Sequence, residues 1–128
     1  MTWKGWTVAA GLALLVPGTP HAATEANFGA RTTGDLVELC AASPDGALGT
    51  AADNFCEGFV EGAVTVQLEN MAAWRGRKLF CLPNPAPTRS EAVSQFVAWA
   101  RAAPERLSQP STDGLFRFLI EQYPCPQR

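Results

Sequence analysis

Apolar positions recur along this chain every three to four residues, the period of a helix rather than the alternation of a strand. Thr32 followed by Asp35 is a variant of the capping box, and Leu36, Leu39 and Cys40 form the short apolar stripe of a first helix. The run AASPDGALG over residues 41–49 has the Ser, Pro, Asp and Gly content of a loop. A second helix of about 20 residues is predicted from near Thr50, with Phe55, Phe59 and Ala63 on one row and Val60, Val64, Leu68 and Met71 on another. Pro83, Pro85 and Pro87 impose an extended connector. Thr88 and Glu91 then make a full capping box for a third helix, whose Val93, Phe96, Val97 and Ala100 share a face beside Trp99. Pro104 and Pro110 bracket a second loop. Ser111 or Asp113 can cap a fourth helix, with Leu115, Phe116, Phe118, Leu119, Ile120 and Tyr123 as its core side. With no strand pattern and no repeat, the expected fold class is all-α, a small four-helix domain.

The leading segment reads differently. Lys4 precedes an unbroken apolar run over residues 8–16; Pro17, Gly18 and Pro20 break it, and Ala22 and Ala23 offer small residues for cleavage. That order is the one of a secretory signal peptide, and the run falls short of the ~20 residues a bilayer span needs. Residues 1–23 are therefore read as a signal peptide and 24–128 as one helical domain, without stable membrane insertion after cleavage.

Four cysteines, Cys40, Cys56, Cys81 and Cys125, all follow that segment. An even set in a short exported chain points to two disulfides. A zinc site is disfavoured, because none of the close C-x2-4-C pairs of such sites occurs. From loop length alone two pairings stay open: a local Cys40–Cys56 bridge, or Cys40–Cys81 with Cys56–Cys125, which constrains the unfolded chain more. The one histidine, His21, lies in the leader, and no G-x-S-x-G, G-x-G-x-x-G or Walker loop is present. Chemistry would rest on carboxylates alone, so no catalytic, cofactor or metal residue is assigned and an enzyme is not expected. Ten Lys and Arg against 12 Asp and Glu give a net charge of −2, which lacks the basic footprint of a nucleic-acid binder.

Three places are candidate partner-binding sites. Asp53, Glu57 and Glu61 lie four apart on the second helix, an acidic edge whose like charges oppose one another slightly. Trp74, Arg75 and Arg77, next to Lys78, combine an aromatic with cations, the residue types enriched at binding hot spots. Ser108 and Gln109 sit in the second loop. The plainer reading is a solvated face for the first, and for the second a Trp74 that covers the end of the second helix while the cations solvate the loop.

In order along the chain stand Leu39-Cys40, Cys56-Glu57-Gly58-Phe59-Val60-Glu61-Gly62, Cys81-Leu82-Pro83, Thr88, and Tyr123-Pro124-Cys125-Pro126. This constellation resembles the Rap/Tai family, immunity proteins against type VI secretion amidase effectors. The resemblance implies an exported all-helical domain similar in fold to the acid-stress chaperone HdeA, one that often dimerises. It implies a periplasmic protein of a Gram-negative bacterium that binds and blocks a peptidoglycan amidase by plugging its cleft with an exposed loop, either residues 74–78 or 105–111. It also implies the Cys40–Cys81 and Cys56–Cys125 pairing. An acid-stress or general periplasmic chaperone is the alternative function. With no histidine past the leader, its switch would be carboxylates titrating below about pH 6.

Overall fold

The computed structural model describes residues 22–73 and 77–127. The signal-peptide reading rests on residues that lie, but for Ala22 and Ala23, outside this range. Five α-helices follow one another: α1 Thr33–Cys40, α2 Gly49–Ala73, α3 Arg89–Arg101, α4 Pro104–Leu107 and α5 Ser111–Gln122, preceded by a 3-10 turn over Glu25–Gly29. No strand is present among the described residues; a single backbone bridge joins Thr32 to Pro110. The all-α reading holds, and its four helices are α1, α2, α3 and α5. The loop between Pro104 and Pro110 contains one further helical turn, α4.

Both predicted capping boxes form. The Thr32 hydroxyl accepts from the Asp35 amide and the Asp35 carboxylate accepts from the Thr32 amide, at 3.1 Å each. Asn27 of the 3-10 turn donates to the same carboxylate at 3.0 Å, which fastens the entry segment to α1. At α3 the Thr88 amide donates to Glu91 Oε2 at 2.8 Å and Thr88 Oγ1 accepts in return. The start of α5 departs from expectation: Pro110 is its N-cap, and neither Ser111 nor Asp113 supplies a capping bond.

Helix α1 is central. It packs against α2, α3, α4 and α5, with Leu36, Val37 and Leu39 all buried. The main core joins Leu36 and Val37 to Phe80, Phe96, Ala100, Leu115, Phe118, Leu119 and Tyr123. Its rings interlock edge to face, Phe118 lying 5.7 Å from Phe96 and 6.1 Å from Tyr123, centroid to centroid. The Tyr123 hydroxyl donates to Gln95 at 2.8 Å. Burial, helped by the nearby Glu91 charge, pushes the Tyr123 phenol above its ordinary pKa. Helices α1 and α5 approach so closely that a Cβ on Gly114 would collide with the Thr33 side chain. The buried Thr33 hydroxyl donates to the carbonyls of Gln109 and Pro110 at 3.1 and 3.2 Å.

A smaller core of Leu39, Ala52 and Cys56 lies where α1 meets the first turns of α2. Beyond it α2 emerges from the fold. Val60 and Val64 are half-buried against the main core, whereas Leu68, expected on the same apolar row, is 40% exposed, and Val66 58%. Ile120 of α5 is likewise exposed rather than buried.

The disulfides correct the pairing taken from the resemblance. Cys40 bonds Cys56 and Cys81 bonds Cys125, with Cα atoms 5.1 and 4.8 Å apart, in place of Cys40–Cys81 and Cys56–Cys125. Native proximity decides the matter, since a bridge needs its Cα atoms within about 7 Å. The end of α1 lies against the start of α2, which places Cys40 beside Cys56. The Cys81 amide donates to the Tyr123 carbonyl at 2.8 Å, which brings the connector alongside Cys125. A larger loss of unfolded-chain entropy in the other arrangement does not select it.

Candidate functional site

The three sequence candidates fall in unlike surroundings. Trp74 and Arg75 lie outside the described residues. Arg77 and Lys78 are described and exposed, on the connector that leads to the buried Phe80.

On α2, the acidic edge already has a partner within the chain. Arg89, at the start of α3, donates to Glu57 Oε2 at 3.1 Å and to Glu61 Oε2 at 2.6 Å. One guanidinium thus bridges two carboxylates one turn apart and offsets their repulsion. Arg89, Glu57 and Glu61 are 49%, 39% and 59% exposed, so each pair contributes about 0–1 kcal/mol. Asp53 is exposed on the preceding turn.

The α4 turn is held by contacts to α1 and to the main core. Its entry carries no side-chain cap at Ala103, but Pro104 stands at the first helical position, where a missing N–H costs nothing. Leu107 packs against the main core. Its carbonyl also lies so near Gly34 of α1 that a Cβ there would come within 3.2 Å. At the exit the Gln109 carbonyl accepts from the Thr33 amide at 2.7 Å, and the Ser111 amide donates to the Arg31 carbonyl at 3.3 Å. Ser108 is exposed and donates to the Glu105 carbonyl at 3.0 Å; Gln109 is half-buried.

Arg106 was not among the sequence candidates. Its Nη1 donates to the Trp99 carbonyl at 2.6 Å, and its Cζ stands 4.1 Å from the centre of the Trp99 ring. Nη2 lies 3.6 Å from Glu121 Oε2, the oxygen that also accepts from Trp99 Nε1 at 2.6 Å. Three residues from α3, α4 and α5 close on one another beside a shallow cleft of about 160 Å³ that Gln109 and Arg117 also line. The sequence held a signal for this, an Arg seven residues after a Trp across a short Pro-led turn, but the Glu121 partner comes only with the packing of α5.

Among the carboxylates of the helix caps, Asp35 stands out. Burial disfavours its charge, yet the hydrogen bonds from Asn27 and from the Thr32 amide and hydroxyl outweigh that and hold its carboxyl below the usual aspartate range. Thr88 does the same for Glu91 through its hydroxyl and amide. Among the described residues no group of three His, Cys, Asp or Glu side chains is arranged to hold a metal, and no helix is long and apolar enough to cross a membrane.

The described residues thus form a helical domain with two disulfides and an exposed turn hydrogen-bonded to α1 at its exit. The family model of the Rap1a immunity proteins matches residues 32–125, from the first cap to the last cysteine, and the chain belongs to that family. No curated protein and no solved structure matches it. Family membership implies an immunity protein whose partner is an effector protein.

Proposed function

We propose that this chain is an exported immunity protein that binds and blocks a peptidoglycan amidase delivered by type VI secretion, protecting the producing cell in its periplasm. The observation that carries the reading is the family match across residues 32–125. Two supports stand beside it. The paired cysteines require an oxidising compartment in which to form, and residues 1–23 have the order of a signal peptide. We assign the interface to the α4 turn, with Ser108 and Gln109 as its contacts. A segment already fixed at both ends gives up less freedom on binding, whereas Glu57 and Glu61 already share Arg89.

The test is protection. A peptidoglycan amidase effector of the producing strain's type VI secretion system is sent to the periplasm of a Gram-negative host, with or without the full chain. Survival with the full chain, and lysis when residues 1–23 are deleted, is the expected result. A Ser108→Arg, Gln109→Arg double variant should lose roughly 2 kcal/mol or more of binding with helicity unchanged. No protection together with no binding by the unaltered chain refutes the proposal.

A further inference from the structure

We propose that Arg106, clamped between Trp99 and Glu121, is the positioning residue of the α4 turn and sets the arrangement of Glu105, Ser108 and Gln109 that the effector meets. The inference rests on the assignment of that turn as the interface and adds the group that gives the turn its shape. Helix α4 has four residues and no side-chain cap, and a helix of that length does not persist in water on its own. Its geometry must come from outside. At the exit, α1 supplies it through Thr33, which holds the Gln109 and Pro110 carbonyls.

Within the turn, Arg106 is fixed by contacts of different kinds. The hydrogen bond to the Trp99 carbonyl sets its reach, the indole face sets its plane, and Glu121 sets its charge partner. Trp99 is itself held, because its N–H donates to the same Glu121 oxygen. A lysine supplies the charge but not a planar group that stacks and donates together. Arg106 and Glu121 are 30% and 54% exposed, and neither belongs to the buried core. Loss of the clamp therefore frees the turn while leaving the framework standing, which separates positioning from general stability.

The experiment uses the exported chain with Arg106→Ala, Arg106→Lys and Glu121→Gln. It reads amide hydrogen exchange in the free protein and dissociation from the type VI peptidoglycan amidase used in the protection test. Arg106→Ala should speed exchange of the residue-106 and Gln109 amides at least tenfold, with the Leu36 and Tyr123 amides changed less than twofold. The amidase should leave at least tenfold faster. Arg106→Lys should restore neither, and Glu121→Gln should shift both in the same direction by a smaller factor. Unchanged exchange in the turn, full rescue by lysine, or faster exchange with unaltered dissociation each overturns the inference. Should Arg106→Ala loosen the whole fold, Glu121→Gln must still speed exchange in the turn alone, and its failure to do so also overturns it. An unaltered chain that does not bind the amidase refutes the proposed function, and the inference as a statement about binding falls with it; the unaltered chain alone distinguishes that outcome.

Discussion

The framework of α1, α3 and α5 and the distal half of α2 both carry apolar residues at helical spacing but are held in opposite ways. In the framework, aromatic rings enclose one another and α1 touches every other helix. Helix α2 is twice the length of α5, yet it joins the fold chiefly through α1, one disulfide and the Arg89 bridge. Helical periodicity alone does not distinguish them, for Leu68 lies on the same row as Val60 and Val64 and still faces solvent. An apolar stripe marks a face that can be buried; only a second element laid against it makes that face a core.

The sharpest contrast is a matched pair of truncations. Phe118→Ala empties a fully buried ring site that Phe96, Trp99 and Tyr123 surround, and should cost about 3–5 kcal/mol in denaturant unfolding. Leu68→Ala should stay within about 0.5 kcal/mol. Equal losses would show that the end of α2 is as well packed as the framework.

Removing the local bridge comes next. Cys40→Ala with Cys56→Ala should destabilise by about 3 kcal/mol, the value for a loop of that size. Hydrogen exchange should rise more in residues 60–73 of α2 than in α5, because α2 has so little else to hold it. Uniform acceleration through all the helices would erase the contrast.

The smallest effect concerns acid. Because the folded-state pKa of Asp35 is lowered, its contribution to stability is complete above the ordinary aspartate value of about 3.9 and is lost as the pH falls through the lower folded value. Chemical denaturation from pH 6 down to pH 2 should therefore weaken the native chain below about pH 4, with Asp35→Asn showing a shallower decline. Since Asp35 caps α1, the acid acts on the framework rather than on the end of α2. A native chain that gains stability on acidification contradicts the assignment.

Much of this architecture is legible in the residues because its causes are local. Thr32 with Asp35 and Thr88 with Glu91 announce their helices, and Leu36, Phe96, Leu115 and Phe118 announce the core through their spacing. What escapes the sequence depends on distant partners. Nothing near Glu57 or Glu61 reveals that Arg89, some 30 residues on, lies between them. Cysteine spacing is compatible with either pairing until α1 is seen against α2. The α4 turn hides because two prolines read as loop punctuation, although a proline at the first helical position is itself a helix signal. Its candidate contacts Ser108 and Gln109 are named by the sequence, but the Arg106 clamp behind them appears only once α5 delivers Glu121.

The two covalent rings also have a consequence for biogenesis. Each bridge joins cysteines that are neighbours in order along the chain, so the ring closed by Cys40 and Cys56 is complete before the one closed by Cys81 and Cys125 begins. A chain threaded N terminus first across a membrane presents its thiols in that same order. An oxidant that simply couples each cysteine to the next one to arrive thus reaches the native connectivity directly. The interleaved arrangement would have required Cys40 to wait, unpaired, while Cys56 passed it.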